Sequence, residues 1–222
     1  MNVNCFNWNY IVPKQYIWES TCGYHAIRNA SIMYTILISI NKYNNRKEYI
    51  NQILKNVNFN NLLSEQELNY EIKRYQKILN KKSDINSYDI KHVFNIIYPS
   101  FPITIIYDFK NHNLKLLNND IKVLIVYRQK MHFSRHWIPV IVHKLDNNIN
   151  IHIIDSFEST WYGEEVINNI INSIKRDNDY NLIIKCKDNN INNFLSMSLK
   201  KLFDLILLIS FIFFITYSTY HN

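Results

Sequence analysis

The chain has 222 residues, enough for one domain with a real core and a small appendage. Apolar residues make up 47% of it, which excludes wholesale disorder. The formal charge of +7 comes without a dense Lys/Arg stripe interleaved with aromatics, so it reads as lysine enrichment and speaks against a nucleic-acid partner.

Met1–Trp18 reads as irregular and extended, with Pro13 in its middle. Asparagine clusters such as Asn44-Asn45 and Asn60-Asn61 read as loop filling. Glu19–Leu37 then has apolar residues at helical spacing (Ile27, Ala30, Met33 or Tyr34, Leu37), with Cys22 at its head. Its C-terminal half, Ser31–Ile40, is apolar nearly all round, which predicts a helix buried in a core rather than lying on a surface. Asn44–Val57, Ser64–Leu79 and Ser87–Ile97 read as further helices, the second opened by a Ser64/Glu67 capping box and the third stopped by Pro99 and Pro102.

The pattern then turns to strands. Ile103–Tyr107, Val123–Tyr127, Trp137–His143 and Ile149–Asp155 are short and β-branched, and Asp146-Asn147-Asn148 predicts a hairpin between the last two. Glu164–Ile174 is helical and Tyr180–Lys187 a final strand. Helices first and strands after predict an α+β domain over residues 1–190, with a mostly antiparallel sheet. Residues 191–222 form a hydrophobic tail. Lys200-Lys201 precede Leu202–Tyr220, whose apolar run suits a membrane anchor if Asp204 lies at one interface and Tyr217 and Tyr220 at the other. The competing reading is a buried C-terminal helix.

The cysteines are Cys5, Cys22 and Cys186. So sparse and odd a set predicts free thiols and a reducing compartment. Met1–Gln15 lacks the basic and apolar regions of a secretory signal, which points to the cytoplasm, with the domain facing the cytosol if the tail is anchored. The eight histidines show no metal-ligand spacing, and two glycines leave no phosphate loop or dinucleotide fingerprint, so neither metal nor cofactor is expected.

A thiol is a nucleophile as thiolate, and the N-terminus of a helix favours that form. Cys22 is so placed, and Gly23 beside it leaves room for a substrate carbonyl. A cysteine nucleophile needs a base, and the base an orienting group. The hairpin places the start of its first strand beside the end of its second, where His136 and Asp155 lie, so the carboxylate can hold one ring nitrogen while the other faces the thiol. Gln15, upstream of Cys22, is the candidate oxyanion donor. His25 lies on the Cys22 helix itself and reads as structural.

The order Cys, His, Asp is that of papain-like cysteine peptidases. Ser20, Cys22, His25, Ala26, Ile27 and Asn29, with His136-Trp137 opening a strand, resemble more closely the two motifs of the Josephin family of deubiquitinating enzymes. The likeness covers about residues 10–190. Asp155 stands where that family has Asn, and Gln15 lies further from the cysteine than its counterpart. The resemblance implies a papain-like fold in which a nucleophile helix and a helical insertion pack on the sheet. It also implies ubiquitin or ubiquitin-like conjugates as partners and hydrolysis of the bond after the modifier. A general peptidase of that fold, and an inactive membrane-tethered ubiquitin-binding adaptor, are the alternatives.

Overall fold

The computed structural model of the chain describes residues 1–9, 12–15, 20–40, 45–56, 64–107, 114–130, 134–157, 160–177 and 183–185. The elements in order are β1 (Asn2–Asn7), α1 (Cys22–Ile38), α2 (Arg46–Asn56), α3 (Glu65–Leu79), α4 (Ser87–Ile97), β2 (Ile103–Ile106), β3 (Ile121–Lys130), β4 (Ser134–Leu145), β5 (Asn148–Ile153), α5 (Thr160–Asp177) and β6 (Ile183–Lys185). They lie within one unit, Met1–Cys186. The expected tail, including residues 202–220, falls outside the described residues, and no described helix is long and apolar enough to cross a membrane.

The domain is mixed α and β. Among the described residues six strands run in the order β2-β3-β4-β5-β1-β6. The predicted hairpin forms with a tight turn at Asp146-Asn147, so that Leu145 pairs with Asn148 and Val140 with Ile153. The sheet is mixed, however, rather than mostly antiparallel. Only β3-β4 and β4-β5 are antiparallel, while β2-β3, β5-β1 and β1-β6 are parallel. The reason is β1, which lies in the stretch expected to be irregular. Its asparagines look like loop filler, yet they pair with asparagines of the neighbouring strand. Asn2 sits opposite Asn148 and Asn4 opposite Asn150, and the buried Asn4 Nδ2 donates to Asn150 Oδ1 at 3.1 Å. Buried amides that satisfy each other can occupy an inner strand that apolar patterning would not identify.

Each face of the sheet has its own core. Phe6, Trp8, Val123, Ile125, Trp137 and Ile141 meet α1 to α4 on one side. Leu124, Val126, Ile138, Val140, Ile149 and Ile151 meet Val166, Ile170 and Ile174 of α5 on the other. α1 is a core helix, as expected, with Met33, Ile36 and Leu37 of its C-terminal half buried, and its burial is most continuous in the N-terminal half. Gly23 through Ser31 are buried without a break, whereas Thr35 and Ile38 of the C-terminal half are exposed. The α3–α4 loop encloses the helix head: Tyr24 Oη donates to Lys81 O at 2.9 Å, and Asp84 N–H to Ser20 O at 3.1 Å. Hydropathy missed this because His25, Arg28 and Asn29 lie within the buried stretch.

Two further expectations change. Ser64 Oγ accepts the Glu67 N–H at 3.2 Å, as expected of an N-cap, but a full reciprocal capping box also opens α4, between Asn86 and Asp89. Cys5 is disulfide-bonded, whereas Cys22 is in no disulfide. Pairing depends on which strands lie side by side, which a count of cysteines does not reveal. Cysteine usage therefore no longer argues for a reducing compartment.

Beneath α2 runs a buried polar relay. Trp8 Nε1 donates to His152 Nδ1 at 2.9 Å. The Tyr49 hydroxyl bridges His152 Nε2 at 2.8 Å and His143 Nδ1 at 3.0 Å. Since His152 Nδ1 accepts, a neutral His152 carries its proton on Nε2 and donates it to Tyr49, whose own O–H turns to His143. Burial holds His143 down to about 4, and burial followed by the charge of His143 lowers His152. Both are neutral in the fold and would titrate near 6.5 when unfolded. Their contribution to stability is thus present above about 6.5 and is lost as pH falls from there through about 4. Tyr49→Phe leaves two buried ring nitrogens without their bridge. Urea denaturation at pH 7.5 should register a loss of about 1–3 kcal/mol; an unchanged midpoint would mean that the relay contributes nothing.

Candidate active site

Cys22 is the first residue of α1, preceded by Thr21 at the cap. The first amides of a helix have no intrahelical partner and carry a partial positive charge. Nothing acidic lies in the first turn of α1, and Thr21 makes no side-chain cap. α1 packs chiefly against β4, which brings the thiol to the strand that bears His136.

His136, Asp155 and Cys22 come together. His136 Nε2 donates to Asp155 Oδ1 at 2.6 Å, with both side chains buried. That leaves Nδ1 as the ring nitrogen for the thiol, and a hydrogen bond links Cys22 to the His136 side chain. Burial by itself would lower the imidazole. The hydrogen bonds from Asp155 and Cys22, with their negative charges, outweigh it and raise His136 to about 9. At neutral pH the ring is an imidazolium held between a carboxylate and a sulfur, the state from which a thiolate attacks and an amine is protonated.

Asp155 lies two residues beyond the last residue of β5 and is fixed from both sides. Its N–H donates to Asn9 Oδ1 at 2.7 Å, and its Oδ1 also accepts the Phe157 N–H at 2.9 Å. The Phe157 ring lies 5.4 Å from that of His136. Neither Asn9 nor Phe157 is recognisable in the sequence, since one sits in a stretch that reads as irregular and the other follows a strand end. Gln15 reaches the same place: its N–H donates to Ser156 O at 2.9 Å, and its Oε1 accepts Ser156 Oγ–H at 3.4 Å. The structure thereby ties Gln15 to the residue after Asp155.

Gly23 has a different role from that expected. A Cβ there would lie 2.3 Å from Ile85 Cγ1 and 3.4 Å from Trp137 Cδ1. The missing side chain makes room for Ile85 and Trp137 rather than for a substrate carbonyl. Trp137 Nε1 in turn donates to Ile85 O at 3.1 Å, which clamps the α3–α4 loop between the head of α1 and β4. Among the described residues, no group of three or more His, Cys, Asp or Glu is placed to hold a metal ion.

Two outcomes are expected. The His136 ring, followed by NMR, should titrate near 9, and its midpoint should fall in Asp155→Asn, where burial remains and its largest opposing partner is gone. Because the folded value lies above the unfolded 6.5, the stability contributed by His136 is complete below about 6.5 and lost as pH rises through about 9. Gly23→Ala forces Ile85 aside and should cost about 1–3 kcal/mol in urea denaturation; a variant as stable as the parent would show that the loop gives way freely. Neither a protein-family model, nor a curated protein, nor a solved structure matches this chain.

Proposed function

We propose that the chain is a papain-like thiol hydrolase that cleaves the peptide or isopeptide bond after ubiquitin or a ubiquitin-like modifier. The observation that carries the chemistry is the bridging position of His136, hydrogen-bonded to Cys22 and, through Nε2, to Asp155. The choice of substrate rests on the Josephin-like residues Ser20, Cys22, His25, Asn29 and His136-Trp137.

In this mechanism the Cys22 thiolate adds to the carbonyl carbon, and the carbonyl electron pair moves onto oxygen. The Cys22 backbone N–H and the Gln15 side-chain amide stabilise the oxyanion. As the C–N bond breaks, the His136 imidazolium gives its proton to the leaving amine and a thioester remains. His136, now neutral, takes a proton from water, whose oxygen displaces the thiolate and releases the acid. Asp155 keeps the ring oriented throughout. The Cys22–His136 hydrogen bond favours a working site over a degenerate adaptor. The chain would act at a cytosolic membrane surface if residues 202–220 anchor it.

A ubiquitin-tail electrophile should label the wild type and not Cys22→Ala; labelling that survives the substitution would sink the nucleophile assignment. Labelling by a peptide electrophile alone would point to a general peptidase. His136→Ala should lower kcat/KM by about 10²–10⁴-fold. The wild-type kcat/KM should fall as pH rises through about 9, where His136 loses the proton destined for the leaving group. For the tail, carbonate extraction should leave the full-length protein in the membrane fraction, and its release would remove the anchor.

A further inference from the structure

β1 and β5 end together, with Asn7 opposite Ile153. One more backbone bond follows, from Trp8 N–H to Ile153 O at 2.8 Å. The chains then part, and Ile154 N–H turns to Pro139 O of β4 at 3.2 Å. The next amide, that of Asp155, lies beyond the ladder in a residue only 2% exposed, and a buried N–H without an acceptor is costly. Its acceptor is a side chain, Asn9 Oδ1, at 2.7 Å. Asn9 is itself held in place. Its own N–H donates to Asn7 Oδ1 at 2.9 Å, an Asx turn that bends the chain as it leaves β1.

Asp155 is thus held at two levels. Its carboxylate Oδ1 accepts His136 Nε2–H at 2.6 Å and the Phe157 N–H at 2.9 Å. The bond to Asn9 holds its main-chain nitrogen instead. The carboxylate hangs from the main chain by one methylene, so a loosened main chain moves the oxygen that grips the imidazole. A hydrogen bond weakens steeply as its angle departs from linear. Asn9 carries no charge. The titratable groups that raise His136 are Asp155 and Cys22, and His25 lies close enough to feel the charge of His136. Whatever Asn9 does to His136 must therefore pass through the position of Asp155.

We propose that Asn9 is a positioning residue of the active site: its side-chain carbonyl oxygen fixes the main chain of Asp155, and through it the carboxylate that orients His136. The proposal rests on the thiol-hydrolase reading for its place in a reaction, whereas the anchoring is read out on the histidine.

The test uses the full chain, with Asn9→Leu removing the acceptor at nearly constant volume and Asn9→Asp keeping it. By NMR, His136 should titrate at lower pH in Asn9→Leu than the value of about 9 expected of the wild type. On ubiquitin with a C-terminal fluorogenic amide, Asn9→Leu should lower kcat by about ten- to a hundred-fold with KM unchanged, as a misplaced group does. Asn9→Asp should recover most of that loss. Asn4→Ala is the control: it breaks the Asn4–Asn150 bond between the same two strands and should leave both readouts as in the wild type. A His136 titration near 9 that stays there in Asn9→Leu overturns the positioning role. So does an equal fall in Asn4→Ala, which would show only a loosened sheet. A wild-type ring that titrates near its ordinary value of about 6.5 removes the oriented cluster, and the proposal with it. If the wild type does not turn over the ubiquitin amide, the substrate reading fails, and the titration alone decides the role of Asn9. Should Asn9→Leu not fold, the scalar coupling across the hydrogen bond between the Asp155 amide nitrogen and Asn9 Cγ is measured in the wild type. Its presence upholds the anchor and its absence overturns it.

Discussion

The pairing of Val140 with Ile153 decides where the remaining residues of the hairpin fall. Side chains alternate between faces, so a slip of one residue would turn His136 or Asp155 to the opposite side of the sheet. The two-residue turn at Asp146-Asn147 fixes this register at one end. Pairing of β4 with β3, in which His136 lies opposite Arg128, continues it past the end of β5. The 2.6 Å contact between His136 and Asp155 is therefore a product of strand geometry, and it needs no long side chain to search for its partner. α1 then has only to bring one sulfur to the free side of the ring, which the Gly23–Ile85–Trp137 packing does.

The same hairpin treats its histidines in opposite ways. For His143 and His152 desolvation dominates and keeps them neutral. His136 is buried as well, but beside a carboxylate and a sulfur, and there attraction exceeds desolvation. A single β-ribbon thus carries a dry neutral relay near its turn and a charged cluster at its open end. The contribution of the relay is lost on the acid side and that of His136 on the alkaline side.

Much of this was legible in the residues. The hairpin, the helix headed by Cys22, and the meeting of His136 with Asp155 follow from turn chemistry and periodicity, both of which are local. What was not legible depends on contacts distant in sequence. β1 has no apolar signature because its asparagines are matched by Asn148 and Asn150. Asn9 and Phe157 matter only because the fold carries them to Asp155. His25 shares a cavity lining with Leu68 and Ile72 of α3, and Arg28 lies near Tyr75, Glu71 and Glu67 of the same helix, so their surroundings come from a distant part of the chain. Asn29 is 2% exposed, and among the described residues neither its Nδ2 nor its Oδ1 has a hydrogen-bond partner.

The placement of β1 also affects how the molecule comes into being. This strand is made well before its partner β5, which lies 146 residues later, as the Asn4–Asn150 bond records. Until β5 emerges, β1 has no neighbour to pair with, and long-range pairings of this kind close slowly. Asn9, just beyond β1, holds the backbone of Asp155 across the same span. The orienting acid is therefore secured only when the two ends of the domain meet. During synthesis Cys22 is thus made long before His136 and Asp155 can be positioned beside it.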